Sequence, residues 1–233
     1  MNVTKNLRVY VYAIMLFAGL VSSQTFPSAS AQEENLLVAV NGTLMRGLEL
    51  EPNLVNLGST FVKEDRTVPE YRLYSIGDVH PAMVRLPTAA TNGVSVAVEI
   101  WSVPSSGVAT LLQKEPPGLS IGKVRLQDNS TVLGVVAEPA LVVGMKDISD
   151  FDGNWRNYIV QTGLQLIDNA TQQKSAFLTP NETEAITQLR TEGELLAENG
   201  QLRGAIDSLN TAVKMLGLND RLYLNIPLGY TAP

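Results

Sequence analysis

The stretch that most constrains the fold lies near the start of the chain, where a short apolar run ends in a glycine loop. Residues 36–40 are apolar throughout, and Asn41-Gly42-Thr43 follows them before hydrophobic residues resume. This pattern predicts a buried strand that leads into a tight loop. Because glycine has no side chain, a ligand can approach the backbone N–H groups of this loop closely. The alternative is that Gly42 serves only to make a turn.

The first 31 residues have the composition of a secretory signal peptide. Lys5 and Arg8 precede an uncharged apolar run over residues 9–21, and Ala29-Ser30-Ala31 is typical of a cleavage site. The run is short for a membrane-spanning helix, which needs about 20 residues. We therefore predict a signal peptide over residues 1–31, with an uncleaved membrane anchor as the alternative. The protein would be secreted or periplasmic, with a bacterial source favoured and no membrane attachment after cleavage.

The charges of the remaining chain exclude several classes of partner. Residues 32–233 carry 15 basic and 23 acidic side chains, a net charge of −8, and the basic residues are scattered. Such a surface cannot neutralise phosphates, so we expect no nucleic-acid partner. The sequence has no cysteine and a single histidine, His80. This composition excludes thiol chemistry and multi-histidine metal sites, and we expect no metal and no other cofactor.

Most of the region after the glycine loop reads as short strands. β-Branched and aromatic residues alternate with polar ones in several short segments, and one pair flanks an Asp128-Asn129 turn typical of a hairpin. Ser105 is a suitable N-cap for one short helix over residues 105–114. The predicted strands are residues 67–77, 83–86, 93–103, 121–126, 131–136 and 140–143. Many short strands with few helices favour an α+β fold with a closed or nearly closed mixed β barrel over residues 32–160.

The last part of the chain is predicted to be helical. Residues 161–178 show no strong pattern and are interpreted as a linker, with an alternative helix over residues 158–166. Residues 179–182 combine an N-cap threonine, a proline and a glutamate three residues after the cap, so a helix begins there. Residues 201–216 carry one apolar stripe after Asn199-Gly200, which predicts an antiparallel helical hairpin within a C-terminal region over residues 179–233.

The predicted hairpin needs a surface to cover its apolar stripe. Its spacing is similar to that of one tetratricopeptide unit, and a single such unit cannot bury its own face. We therefore expect the hairpin to dock on the barrel or, alternatively, on a protein partner. Apolar residues in the tail, residues 220–233, could add an edge strand.

Five segments together resemble the C-terminal domain of allophanate hydrolases, which belongs to the γ-glutamylcyclotransferase-like superfamily. They are LLVAVNGTLMRGLEL, TVPEYRLYSIG, GVSVAVEIWSVP, PPGLSIGKVRLQDNSTVLGVVAEP and DISDFDGNWRNYI, in this order over residues 36–160. The resemblance implies a small mixed barrel with helices on its flank and a cavity beside the glycine loop. The amidase domain of those enzymes, with its catalytic serines and lysine, is absent from the sequence.

The resemblance also implies which residues act. Cyclotransferase relatives hold their substrate with the backbone of a Tyr-Gly-Ser/Thr-Leu loop, which corresponds here to Asn41, Gly42, Thr43 and Leu44. Their acid/base glutamate lies just before a glycine further along the chain, and Glu115 is the nearest candidate for that role. The aromatic residue of the loop is replaced by Asn41. An exposed charge at a helix end is the alternative interpretation of Glu115.

Further candidates come from side-chain chemistry. His80 titrates near neutral pH and could act as a general acid or bind a carboxylate, although a surface loop histidine is the alternative. Arg72 could bind a carboxylate through its guanidinium fork, and Arg85 lies near the same elements. Glu99 stands in an apolar strand, so it is either on the outer face or needs a partner such as Arg72.

Two classes of function are consistent with these residues. The first is an exported domain that binds a small polar molecule, namely a carboxylate, carbamate or amide, at the Gly42 loop, with the hairpin free to contact a protein partner. The second is an enzyme that uses Glu115 or His80 for cyclotransferase-like or decarboxylase-like chemistry. The resemblance implies the decarboxylase-like chemistry, which is linked to the second domain of allophanate hydrolases. The replacement of the loop aromatic by Asn41 favours the first.

Overall fold

A computed structural model of the chain describes residues 33–88 and 90–218. Its strands are β1 (Asn35–Val40), β2 (Thr60–Arg66), β3 (Tyr71–Ile76), β4 (His80–Arg85), β5 (Ala97–Pro104), β6 (Leu119–Arg125), β7 (Thr131–Ala137) and β8 (Lys146–Asp147). Its helices are α1 (Glu51–Asn56), α2 (Ser105–Lys114), α3 (Trp155–Lys174), α4 (Pro180–Glu198) and α5 (Leu202–Met215), with a short 3₁₀ helix at Pro139–Val142. The predicted signal peptide and the tail over residues 220–233 lie outside the described residues.

The strand that precedes the glycine loop is the middle strand of the larger sheet. This sheet has the order β2-β5-β1-β7-β6. Strand β1 runs antiparallel to β5, with Val38 opposite Trp101, and parallel to β7, with Val38 opposite Leu133. Because β1 is covered on both sides and both faces, residues 38–40 are fully buried. A central strand explains why this part of the sequence is apolar without alternation.

The remaining strands form a second, smaller sheet with the order β4-β3-β8. The chain leaves the first sheet after Thr67 and enters the second at Tyr71, and Pro69 between them has no N–H to continue a ladder. Outside the named strands, the described residues of this region pair through single bridges, Thr67 to Leu126 and Tyr71 to Val94. The predicted α+β class is confirmed, but within the described residues the strands form two sheets and not one closed barrel.

Two local predictions are wrong. Residues 140–143 were expected to be a strand, but Pro139 opens a 3₁₀ turn there, since proline fits the first position of a helix better than a paired strand. His80 was expected in a loop, but it is the first residue of β4 and pairs with Ile76. Three residues connect the paired Ile76 and His80, and two of them, Gly77 and Asp78, have positive φ, so the β3–β4 hairpin is tighter than predicted.

Helix α3 runs through most of residues 161–178, where a linker was the first interpretation, and it includes the alternative helix over residues 158–166. The helix begins where the Asn154 side chain accepts a hydrogen bond from the Arg156 N–H at 2.9 Å. Its buried residues include Ile159, Ile167 and Ala170, which lie on one face at helical spacing. Long polar side chains separate these positions, so the stripe is weak in the sequence and depends on packing against other helices.

The helical hairpin forms as predicted. Thr179 and Glu182 make a reciprocal capping box at the start of α4. Helices α4 and α5 pack closely because Gly193 has no side chain, so Leu209 Cδ2 lies 2.6 Å from where a Cβ would be. The apolar stripe of α5 is buried against α4 and α3. None of the helices in the described ranges has the length and apolarity that crossing a bilayer requires.

Candidate functional site

A cavity of about 190 Å³ lies beside the loop that follows β1. The loop forms one wall, the start of β4 a second, and the end of α2 with the start of β6 a third. The lining residues are Val40, Asn41, Gly42, Thr43, Leu44, Glu49, Leu50, Val79, His80, Pro81, Glu115, Pro116, Leu119 and Val135. The fold therefore brings together six of the seven predicted site residues, and most of the remaining surface is apolar.

The loop presents backbone donors beside this cavity. Its carbonyl groups are used within the loop, since Gly42 C=O accepts from Met45 N–H and Thr43 C=O accepts from Leu50 N–H, both at 2.9 Å. Among the described residues, no acceptor is paired with the N–H groups of Gly42, Thr43 and Leu44. Such successive N–H groups are the usual means by which a loop holds a carboxylate or another anion.

Gly42 is required by packing against β4. A Cβ at this position would lie 2.4 Å from Cγ and 2.5 Å from Cδ of Pro81. The proline ring is rigid, so even alanine would force the loop away from β4. A larger residue at position 42 would disturb the fold, and a change there cannot separate ligand binding from stability.

Asn41 holds the loop in place through its side chain. It is 4% exposed, and its Nδ2 donates to the Val135 carbonyl oxygen at 2.9 Å. The backbone pairing of β1 with β7 ends at Ala39 and Gly134. The Asn41 carboxamide therefore extends the contact between the two strands beyond that pair. The amide nitrogen of Asn41 is therefore committed to the fold, although the residue lines the cavity.

Glu115 is a titratable group in this cavity. It follows α2 as the C-cap residue and is half-buried between Pro116 and the rest of the cavity wall. No ion pair or hydrogen bond to its carboxylate is found in the described part of the chain. Burial without a compensating cation raises the pKa of Glu115 to about 7. At neutral pH the carboxyl group therefore exchanges readily between its protonated and ionised forms.

His80 faces the same cavity as a neutral imidazole. Burial lowers its pKa, and the hydrogen bond with the Pro81 carbonyl oxygen opposes this only in part. Nδ1 lies 3.2 Å from that oxygen, so the tautomer protonated at Nδ1 donates this bond and leaves Nε2 as an acceptor. Burial therefore favours the uncharged form of both His80 and Glu115 in this cavity.

Arg72 does not line the cavity, so the prediction that it binds a ligand there is not supported. Its Nε donates to Asp147 Oδ2 at 2.8 Å, and its Nη1 donates to the Asn92 carbonyl oxygen at 3.0 Å. The side chain ties β3 to β8 across the small sheet. Arg85 likewise pairs with Glu70, with Nη2 to Oε2 at 3.0 Å.

The Glu99 side chain points inward, and it pairs with Arg46 and Arg156 and not with Arg72. Its carboxylate accepts from Arg156 Nη2 at 2.8 Å, from Arg46 Nε at 3.2 Å and from the Arg46 N–H at 2.8 Å. Burial alone would raise the pKa of Glu99, but these hydrogen bonds and the two positive charges outweigh it and hold the pKa below its usual value. The lone acid in an apolar strand signalled a buried partner, but no sequence signal identified Arg46 or Arg156.

Within the described ranges, no group of three or more His, Cys, Asp or Glu side chains is placed to hold a metal ion. At the cavity beside Gly42, the loop N–H groups can donate hydrogen bonds, and Glu115 and His80 can exchange protons.

Residues 36–160 match the family model of the allophanate hydrolase C-terminal domain. A urea amidolyase of Lachancea kluyveri is 26% identical over 132 residues, which is 54% of this chain and 7% of the enzyme. The crystal structure of c4763, a uropathogenic E. coli-specific protein, is 52% identical and covers 53% of this chain and 94% of its own, with a TM-score of 0.51. Allophanate hydrolase of Kluyveromyces lactis is 27% identical, with a TM-score of 0.50, over 54% of this chain and 21% of that one.

Proposed function

The chain belongs to the allophanate hydrolase C-terminal domain family, and from this premise we propose that its cavity beside Gly42 binds a small carboxylate, carbamate or amide. The observation that carries the proposal is convergence: the Gly42 loop, His80 and Glu115 are far apart in sequence and line one cavity. The chain spans 7% of the length of the urea amidolyases that it matches. The activity of those whole enzymes is therefore not transferred to it.

The size and lining of the cavity support a small ligand with one polar end. Its volume of about 190 Å³ is below the range of about 300–1,000 Å³ that is usual for drug-sized ligands. Apolar side chains would contact the body of the ligand, while the N–H groups of residues 42–44 would receive an oxygen atom. This combination of a few directed donors in an apolar wall gives orientation without requiring a salt bridge.

The ionisation of Glu115 predicts how binding of a ligand depends on pH. Below pH 7 the protonated carboxyl group can donate a hydrogen bond to a ligand carboxylate, whereas above pH 7 its negative charge repels one. A neutral amide should be affected less, because it carries no charge to repel. Carboxylate binding should therefore weaken as the pH rises through 7, and amide binding should not.

Thermal-shift measurements with malonate, N-carbamoylglycine and acetamide at pH 6 and pH 8 test this function. We expect at least one of these probes to raise the melting temperature in a saturable way by mass action. Val79→Trp should abolish the rise by filling the cavity, whereas Val143→Trp, at an exposed position outside it, should not. The absence of saturable shifts with the whole panel would contradict the proposal, as would equal loss in both variants.

An enzyme with cyclotransferase-like or decarboxylase-like chemistry is the second candidate. The pKa of Glu115, about 7 and inside the cavity, favours it because a general acid/base works best near the operating pH. Glu115→Gln should abolish turnover of γ-glutamyl amides while leaving the circular dichroism spectrum unchanged. A wild-type protein that binds these compounds and does not turn them over would favour the binding function.

Export and a protein partner are further parts of the proposal. Export depends on the composition of residues 1–31. Amino-terminal sequencing of the protein recovered from the cell exterior or periplasm should begin at Gln32. A protein partner at the hairpin would have to use surfaces other than the apolar stripe of α5, which is buried against α3 and α4.

A further inference from the structure

The side-chain oxygen of Asn41 is an unpaired hydrogen-bond acceptor in the wall of the cavity beside Gly42. Asn41 is 4% exposed and lines that cavity. Its Nδ2 donates to the Val135 carbonyl oxygen at 2.9 Å and to Met83 Sδ at 3.8 Å, which uses both N–H groups of the carboxamide. Among the described residues, no donor is paired with Oδ1. The carboxamide is therefore satisfied at its nitrogen and not at its oxygen.

The Val135 carbonyl group fixes the direction in which this carboxamide points. A carbonyl oxygen only accepts hydrogen bonds, so the atom that faces it has to be the amide nitrogen of Asn41. Half a turn of the carboxamide would bring two oxygen atoms together. Oδ1 is not one of the described side-chain atoms that are both sealed from solvent and unpaired, so it retains accessible surface. Because Asn41 lines the cavity, this oxygen is available to a ligand there.

A buried acceptor of this kind discriminates between ligands. Water that enters the cavity can donate a hydrogen bond to Oδ1, and a ligand that displaces the water loses affinity unless it donates in its place. An acceptor that is left unpaired away from water costs more free energy than a typical hydrogen bond contributes. The position next to Asn41 Oδ1 therefore favours an N–H group and disfavours a methyl group or another acceptor.

The other polar groups of the cavity also separate into donors and acceptors. The donors come from the backbone, as the N–H groups of residues 42–44. The side chains contribute mainly acceptors, namely Asn41 Oδ1, the Nε2 atom of His80 in the tautomer described above, and the carboxylate of Glu49. The Thr43 hydroxyl group can act in either way. A ligand group that combines a carbonyl oxygen with an N–H matches both sets over a short distance.

We propose that Asn41 determines the specificity of this cavity and selects a ligand with an N–H group beside its carbonyl, that is, an amide or a carbamate, over a carboxylate. The ligand carbonyl oxygen accepts from the N–H groups of residues 42–44, and the ligand nitrogen donates to Asn41 Oδ1. A carboxylate places a second oxygen at that point, so two acceptors face each other. The inference rests on the proposed binding function of the cavity and narrows its three ligand classes to two.

Three small probes of equal heavy-atom count test this selection in the wild-type protein. Butanone replaces the NH₂ group of propionamide by a methyl group, and propionate replaces it by an oxygen. Nuclear magnetic resonance titration of the full chain measures each Kd. We expect propionamide to bind about tenfold more tightly than butanone, because butanone keeps the carbonyl oxygen and lacks the N–H donors. At pH 6, where most Glu115 carboxyl groups are protonated, propionamide should also bind more tightly than propionate.

The outcomes separate this inference from the binding function on which it rests. Equal affinities for propionamide and butanone would overturn the inference, as would tighter binding of propionate than of propionamide at pH 6. Saturable binding of butanone or propionate would, in that case, leave the binding function standing. The absence of saturable binding by all three probes up to about 100 mM would contradict the inference and the binding function together.

Asn41→Leu tests the residue itself, since leucine has a similar size and no acceptor. The variant also loses the contact with Val135, so the readout is the ratio of the propionamide and butanone affinities, which a loss of stability alone does not change. We expect this ratio to fall to within about twofold of one. Thr67→Val is the matched control, because Thr67 is fully buried outside the cavity and its Oγ1 accepts from the Val96 N–H at 2.9 Å. The control should lose stability and keep the ratio, and an equal fall of the ratio in both variants would overturn the inference. The comparison of probes in the wild type does not depend on the folding of either variant.

Discussion

Two glutamates, the buried Glu99 and the half-buried Glu115, have pKa values that are shifted in opposite directions. Glu99 is 1% exposed, yet its pKa is lowered, because Arg46 and Arg156 surround its carboxylate. Glu115 is only half-buried, yet its pKa is raised to about 7, because no described cation offsets its burial. The comparison shows that the charge partners of a carboxylate, more than its depth, decide whether it ionises.

The Glu99 carboxylate stabilises the fold through its ion pairs, whereas the Glu115 carboxylate makes no such contact. Glu99 joins β5, the loop after β1 and the start of α3 through its two arginines. Removing one member of such a group leaves an unpaired buried charge. Glu115 holds no other side chain in the described structure, so a change there should alter protonation in the cavity more than folding.

The largest effect should come from Glu99→Gln. This change leaves Arg156 buried without a full negative charge beside it, and we expect a loss of about 3–5 kcal/mol in the free energy of unfolding at pH 7. Urea denaturation would measure it. Glu64→Gln is the matched control, because Glu64 also pairs with Arg46 but its side chain is 67% exposed; that change should cost less than about 1 kcal/mol. Similar small losses in both variants would remove the distinction between the two glutamates.

A smaller effect should appear in the pH dependence of stability, measured by urea denaturation of the wild type and Glu115→Gln from pH 4 to pH 8. The pKa of Glu115 is raised in the folded protein, so its contribution is fully present below the unfolded-state pKa of about 4.5 and is lost as the pH rises through 7. Relative to the variant, the wild type should lose about 1–3 kcal/mol across this window. Parallel curves would show that Glu115 is not buried as described.

Glu99 should behave in the opposite sense over a different pH window. Because its pKa is lowered, its contribution is present above the unfolded-state value and is lost as the pH falls through the folded-state value. The wild type should therefore have a higher free energy of unfolding than Glu99→Gln at neutral pH, and this difference should be lost only at acidic pH.

The smallest effect should come from Arg72→Gln. Arg72 pairs with the partly exposed Asp147 outside the cavity, so we expect a loss of less than about 1 kcal/mol in stability and no change in the thermal shift with malonate. A strong loss of the ligand-induced shift in this variant would show that the site extends to the small sheet. It would also restore the role that the sequence suggested for Arg72.

The sequence predicted the elements whose signals are local. Strand β1, helix α2 and the capping box at Thr179 each depend on a few adjacent residues, and each is found close to its expected position. Helix α3 was anticipated only as the alternative helix over residues 158–166, because its apolar positions are separated by long polar residues and are stabilised by packing against α5. A contact that forms only after the hairpin has docked leaves little trace in the local pattern.

The candidate site was predictable to a similar extent. The Gly42 loop was identified from the local sequence pattern and Glu115 from the family resemblance, and the fold places both on one cavity. The ion pairs were not predictable, because residues 99 and 156 meet only through the positions of β5 and α3 relative to each other. Arg72 was assigned by its nearness in sequence to the strands, which does not determine the direction in which a side chain points.

The burial of Asn41 has a practical consequence for making this protein. Asn41-Gly42-Thr43 is an acceptor triplet for N-linked sugars, and Asn129, Asn169 and Asn181 begin others. In the folded chain Asn41 Nδ2 is bonded to Val135 inside the sheet and has no room for an oligosaccharide. Such sugars are bulky and belong on the surface of a folded protein. A sugar attached there would keep β1 and β7 apart, so a bacterial host, or a chain with Thr43→Ala, is the suitable source of material.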